Sequence, residues 1–97
     1  MIGPASGFRI GITGLGTNVP EQVMTNEDLA RHVETSDEWI RERTGIRERR
    51  IARQEEALSD IALPAVRQAL ADAGADPAEI DLVVCATLTP DMLFPTT

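Results

Sequence analysis

The stretch TSDEWIRERTGIRERRIA, residues 35–52, carries the densest local signals in the chain. Thr35-Ser36-Asp37-Glu38 has the form of a capping box, in which a hydroxyl and a carboxylate satisfy orphan backbone N–H groups, so a short helix is predicted to begin at Thr35. Gly45 supplies its stop. Asp37 and Glu38 fall in the first turn and Arg41 and Arg43 in the last, as the helix dipole favours. Thr35, Trp39 and Arg43 recur every four residues and so share one helix face. At every i±3 and i±4 position Trp39 meets only polar residues (Thr35, Ser36, Glu42, Arg43), so its ring is offered to something outside the helix. Either a neighbouring loop covers it or a ligand does. An indole stacks on a flat heterocycle, a guanidinium grips phosphate oxygens, and a threonine hydroxyl bonds a base edge.

Outward from this segment the pattern alternates strand and helix. Phe8, Ile10 and Ile12 alternate with Arg9, Gly11 and Thr13, which reads as a first strand after a loose leader at 1–7. A loop at 14–22 follows, then a short helix capped by Thr25 or Asn26 and carrying Leu29, Ala30 and Val33. Residues 46–51 suggest a short exposed strand. Ile61, Ala65, Val66, Ala69, Leu70 and Ala73 form the stripe of a long helix capped near Ser59 and ended by Gly74, with Pro64 implying a kink or a later start. The apolar run 82–86 suggests a strand buried on both faces. This order is that of an α/β protein with a mixed or parallel central sheet. Two strands do not complete such a sheet, and the chain stops directly after the turn at Phe94, so it reads as part of something longer.

Ninety-seven residues suffice for one small domain, and with 3% aromatics the core must rest on aliphatic residues. A net charge of −7 argues against nucleic acid or an anionic membrane as a general partner. Residues 41–53 are nevertheless +4, with six of the nine Arg, inside a remainder of −11, and suit a compact anion. One cysteine permits no internal disulfide, and neither a secretory leader nor a membrane-length apolar run is seen, so a cytoplasmic protein is expected. Gly14-Leu15-Gly16 fails as a dinucleotide fingerprint, because Val19 and Pro20 occupy the third glycine and the helix start; a turn is the expected role. Cys85, flanked by Val83, Val84 and Ala86, reads as a buried inert thiol, and His32 as solvated. With one Cys and one His, no metal site built on these ligands is expected.

Residues 35–52 closely resemble the signature of β-ketoacyl-acyl-carrier-protein synthase III, the condensing enzyme that starts type II fatty acid synthesis. GITGLGTNVPEQVMTNEDLARHVE, ALSDIALPAVRQALADAGADPAEID and LVVCATLTPDMLFPTT resemble its opening strand and helix, its long helix, and the strand and loop before its catalytic helix. The resemblance implies a thiolase-like αβαβα fold, of which residues 1–97 form the opening part of the first half. It implies that Trp39 stacks on the adenine of coenzyme A, Thr35 contacts the base and Arg43 holds the coenzyme tail. Phe94 would line the acyl pocket of the partner subunit in a homodimer.

The family's nucleophilic cysteine, histidine and asparagine match no position here, so the chain alone is expected to be inactive. Acyl-CoA and malonyl-acyl carrier protein are the implied substrates of the intact enzyme, with no further cofactor. An acidic carrier would dock elsewhere than on this mostly acidic surface. Arg47, Arg49, Arg50 and Arg53 are possible contributors, although internal pairing is the expected role. Met92 and Leu93 replace smaller residues and bear on starter choice. Two alternatives stay open: a thiolase-superfamily synthase of secondary metabolism, and a short non-catalytic coenzyme A-binding or dimerisation partner.

Overall fold

The computed structural model describes residues 7–94. Its elements run strand β1 (Gln22–Thr25), helix α1 (Asn26–Ala30), helix α2 (Asp37–Thr44), strand β2 (Glu48–Ile51), helix α3 (Leu58–Ala73) and a 3-10 turn at Pro77–Glu79. The residues expected as a leader fall outside this range apart from Gly7.

Helix α1 starts where the sequence placed it. The Thr25 hydroxyl accepts from the Asp28 N–H at 3.1 Å, and the Asp28 carboxylate accepts from the Thr25 N–H at 3.0 Å. This reciprocal pair is a complete capping box. Helix α2 begins later than predicted, since Ser36 rather than Thr35 is its cap and accepts from the Trp39 N–H at 3.2 Å. The expected box cannot close in that register: the third helical position is Trp39, which has no carboxylate to return. Gly45 ends α2 at φ 73°, its N–H reaching the Arg41 carbonyl at 2.8 Å.

The predicted strand at 46–51 is realised as β2, but its partner β1 lies at the end of what read as loop and cap. The two pair antiparallel, Gln22 opposite Ile51 and Thr25 opposite Glu48. Helix α3 runs unbroken through Pro64, so its start is not delayed. Its cap is Ala57, not Ser59; the Asp60 carboxylate satisfies the Ala57 N–H at 2.9 Å, and the Ser59 N–H goes instead to Oδ1 of Asp91 at 2.9 Å. Gly74 closes the helix at φ 64°.

The loop between the predicted first strand and β1 is strapped along α3. The Leu15 N–H donates to Oδ2 of Asp72 at 3.1 Å, the Thr17 N–H to Oε1 of Gln68 at 2.7 Å, and Nδ2 of Asn18 to the Ile61 carbonyl at 2.7 Å. Asp72 and Gln68 are one turn apart on α3, so the strap follows the helix axis. Gly14 and Gly16 are not there for a turn, as the sequence suggested. A Cβ on Gly16 would collide with the Ala65 carbonyl oxygen, and one on Gly14 with that of Ala69. Both glycines serve close approach to the helix backbone.

The other two predicted strands form no ladder among the described residues. Ile10 is 98% exposed and Val84 82%, and Cys85 is exposed, which corrects the reading of 82–86 as buried on both faces. A strand is covered by neighbours on both edges and faces, and no described segment supplies them. Among the described residues only Ile40 and Asn26 are buried. The radius of gyration, 18.5 Å, exceeds the ~12.5 Å of a compact domain of this length.

Candidate functional site

Ile40 anchors α2 inward with 7% of its surface exposed. One residue is 100° of helical rotation, so Trp39 is carried to the outer side, where 53% of it remains accessible. The guanidinium carbon of Arg43, one turn on, lies 4.9 Å from the indole centroid, within cation–π range. Beside the ring opens a cavity of about 250 Å³ lined by Glu34, Thr35, Ser36 and Trp39. The three residues singled out in the sequence are thus brought together, Thr35 and Trp39 by the cavity and Trp39 and Arg43 by the stack. The Thr35 hydroxyl is buried and has no hydrogen-bond partner.

The start of α2 is fixed by a residue that reads in the sequence only as a candidate cap for α1. Asn26 is wholly buried; its side-chain nitrogen donates to Oδ1 of Asp37 and to the Ile46 carbonyl, each at 2.8 Å, and its oxygen accepts from Nη2 of Arg49 at 2.8 Å. One side chain thereby ties α1 to the start of α2 and to β2. The Asn26 hydrogen bond, reinforced by Arg41 at 2.8 Å on Oδ2, holds the Asp37 carboxyl below its ordinary range against the opposing cost of desolvation.

The basic stretch is mostly spent internally. Arg41 pairs with Asp37, Arg49 with Asn26 and the Met24 carbonyl, Arg50 with the Pro20 carbonyl, and Arg53 with Glu55 and Glu56. Arg47 lines a second, mixed-charge groove of about 290 Å³ with Thr25, Glu27, Asp37, Arg41 and Glu48. Phe94 is 93% exposed and lies outside both cavities. His32 is exposed, as expected. No helix among the described residues is long and apolar enough to cross a membrane.

No family model matches the chain. Among curated proteins it is 66% identical over 88 residues to the β-ketoacyl-[acyl-carrier-protein] synthase III of Symbiobacterium thermophilum, an alignment covering 91% of this chain and 27% of that protein. Among solved structures, 3-oxoacyl-[acyl-carrier-protein] synthase III from Aquifex aeolicus VF5 superposes with a TM-score of 0.77 at 50% identity, covering 88% of this chain and 27% of the other. The priming β-ketosynthase of the R1128 polyketide pathway superposes at 0.65 with 38% identity, covering 77% and 24%. The chain therefore spans about a quarter of the length of the relatives it matches. Its resemblance to β-ketoacyl-acyl-carrier-protein synthase III holds in sequence and backbone alike, and its fold is that of the corresponding part of a thiolase-like α/β protein.

Proposed function

We propose that this chain is the opening segment of an acyltransferase of the β-ketoacyl-acyl-carrier-protein synthase III type, and that it forms part of the mouth through which coenzyme A enters. The observation that supports this most directly is the half-exposed Trp39 ring, with a guanidinium on it and an open cavity at its side. Adenine stacks on the indole, Arg43 takes phosphate oxygens, and Thr35 bonds the base edge once its hydroxyl turns outward. Met92, Leu93 and Phe94 are exposed, in keeping with a wall for the acyl pocket of a second subunit.

In the intact enzyme, a cysteine thiolate attacks the acyl-CoA thioester and expels the coenzyme A thiol. Malonyl-carrier protein then loses carbon dioxide, and the carbanion attacks the acyl-enzyme, freeing the cysteine. Histidine and asparagine assist that second stage. Cys85 is not this nucleophile, because it does not align with the family's cysteine. The reading places the intact protein in the cytoplasm as a homodimer that needs no cofactor besides its acyl-CoA substrate. The acidic carrier docks on another face, since Arg49, Arg50 and Arg53 are engaged internally.

The test is titration of the intact synthase with coenzyme A. Stacking on an aromatic side chain contributes about 1–3 kcal/mol per base, so Trp39→Ala should raise the Kd about 5- to 150-fold. An unchanged Kd overturns the reading. Condensation of acyl-CoA with malonyl-carrier protein by the intact protein, and none by residues 1–97 alone, separates it from a short non-catalytic binding partner. The similarity to a polyketide priming enzyme favours a second starter chemistry on the same scaffold, which a panel of acyl-CoA donors resolves.

A further inference from the structure

Arg43 differs from its neighbours in what holds it. Arg41, Arg49, Arg50 and Arg53 have their donors committed to carboxylates, to Asn26 or to backbone carbonyls. Among the described residues Arg43 makes neither hydrogen bond nor ion pair, and its one recorded contact is the Trp39 ring at 4.9 Å. One face of the indole is therefore covered by a flat cation. At an exposed site such a contact holds weakly, by a factor of about 2–5 in equilibrium. A bidentate phosphate contact is stronger and leaves the ring free.

We propose that Arg43 shields the Trp39 ring until an anionic ligand draws it away, so that the site discriminates phosphorylated nucleotides from bare nucleosides. This rests on the coenzyme A reading above and adds to it a specificity role. A nucleoside must displace the guanidinium without offering it a new partner. A nucleotide with phosphates displaces and recruits it in one event. The charges set the direction: Glu34 lines the cavity at the N-terminal end and repels phosphate, while Arg43 lies one turn beyond Trp39 toward the C-terminal end. The base thus enters beside Thr35 and the phosphates leave past Arg43.

The experiment compares Arg43→Ala and Arg43→Lys with the wild-type intact protein. Adenosine binding is followed through the Trp39 indole N–H resonance, and coenzyme A binding by calorimetry. Arg43 is an exposed helical residue, so neither change threatens folding. The expected result has opposite signs: adenosine binds about 2- to 5-fold tighter to Arg43→Ala, and coenzyme A about tenfold weaker. Arg43→Lys keeps the charge without the planar fork and should recover part of the coenzyme A affinity. Adenosine affinity unchanged or weakened in Arg43→Ala overturns the shield whatever coenzyme A does. Failure of the wild-type protein to bind coenzyme A overturns the coenzyme A reading, and the adenosine comparison still decides the shield.

Discussion

The side-chain nitrogen of Asn26 sits 2.8 Å from Oδ1 of Asp37, with no part of Asn26 open to solvent. The same amide reaches the Ile46 carbonyl and Arg49, so its removal leaves several partners unmatched at once. Unsatisfied groups of this kind cost about 1–3 kcal/mol each when buried. Asn26→Ala should therefore lower the opening free energy of β2 by about 2–3 kcal/mol, read as faster hydrogen exchange at the amides of Arg49 and Ile51. Exchange rates equal to wild type would show that Asn26 merely fills space.

The Asp37 link also sets a pH dependence. The carboxyl, held down first by Asn26 and then by Arg41, has its folded pKa below its ordinary value of 3.8. A depressed folded pKa gives stability that is present above the unfolded value and is lost as pH falls through the folded one. Asp28, lowered by its Thr25 hydrogen bonds, acts in the same direction on α1. The far-UV helical signal should hold from neutral pH to about 4 and decline below it. Asp37→Asn should flatten that decline; an identical acid profile would remove Asp37 from the account.

The strap on α3 yields a paired test with its own control. Gly16→Ala drives a methyl into the Ala65 carbonyl, whereas a Cβ on Gly11 meets nothing within 4 Å. Overpacking costs about 1–3 kcal/mol, and here the obstacle is backbone, which cannot rotate aside. Gly16→Ala should release the Leu15 and Thr17 amides from Asp72 and Gln68 and open this loop to proteolysis, while Gly11→Ala leaves cleavage unchanged. Equal cleavage in the two variants would refute the close-approach role.

The caps, the ladder and the buried amide differ in how far the sequence makes them legible. Gly45 and Gly74 announced the ends of α2 and α3 because a left-handed cap is a local requirement, and Thr25 with Asp28 announced α1 for the same reason. Trp39 was legible because its near neighbours along the helix are all polar. Strand β1 was not, since QVMT gains its ladder only from ERRI more than twenty residues away. Asn26 follows a capping threonine and carries no mark of its burial, which depends on Asp37, Ile46 and Arg49 arriving together. The runs at 8–13 and 82–86 have strand-like composition, but a strand exists only with a neighbour, and neither run pairs among the described residues.

If the proposed coenzyme A site is right, Thr35 and Ser36 separate a binding role from a structural one. Ser36 caps α2, so Ser36→Ala should cost about 1 kcal/mol of helix stability. Thr35 contributes no cap, and its hydroxyl is buried without a partner, a state that costs about 1–3 kcal/mol unless a ligand relieves it. Thr35→Val removes that hydroxyl at nearly constant shape. The variant should therefore be as stable as wild type or more so, while coenzyme A affinity falls by about three- to tenfold with the lost bond to the base. Thermal unfolding and titration on the same samples check both halves. A hydroxyl retained for folding gives the reverse: Thr35→Val would melt earlier and bind coenzyme A with undiminished affinity.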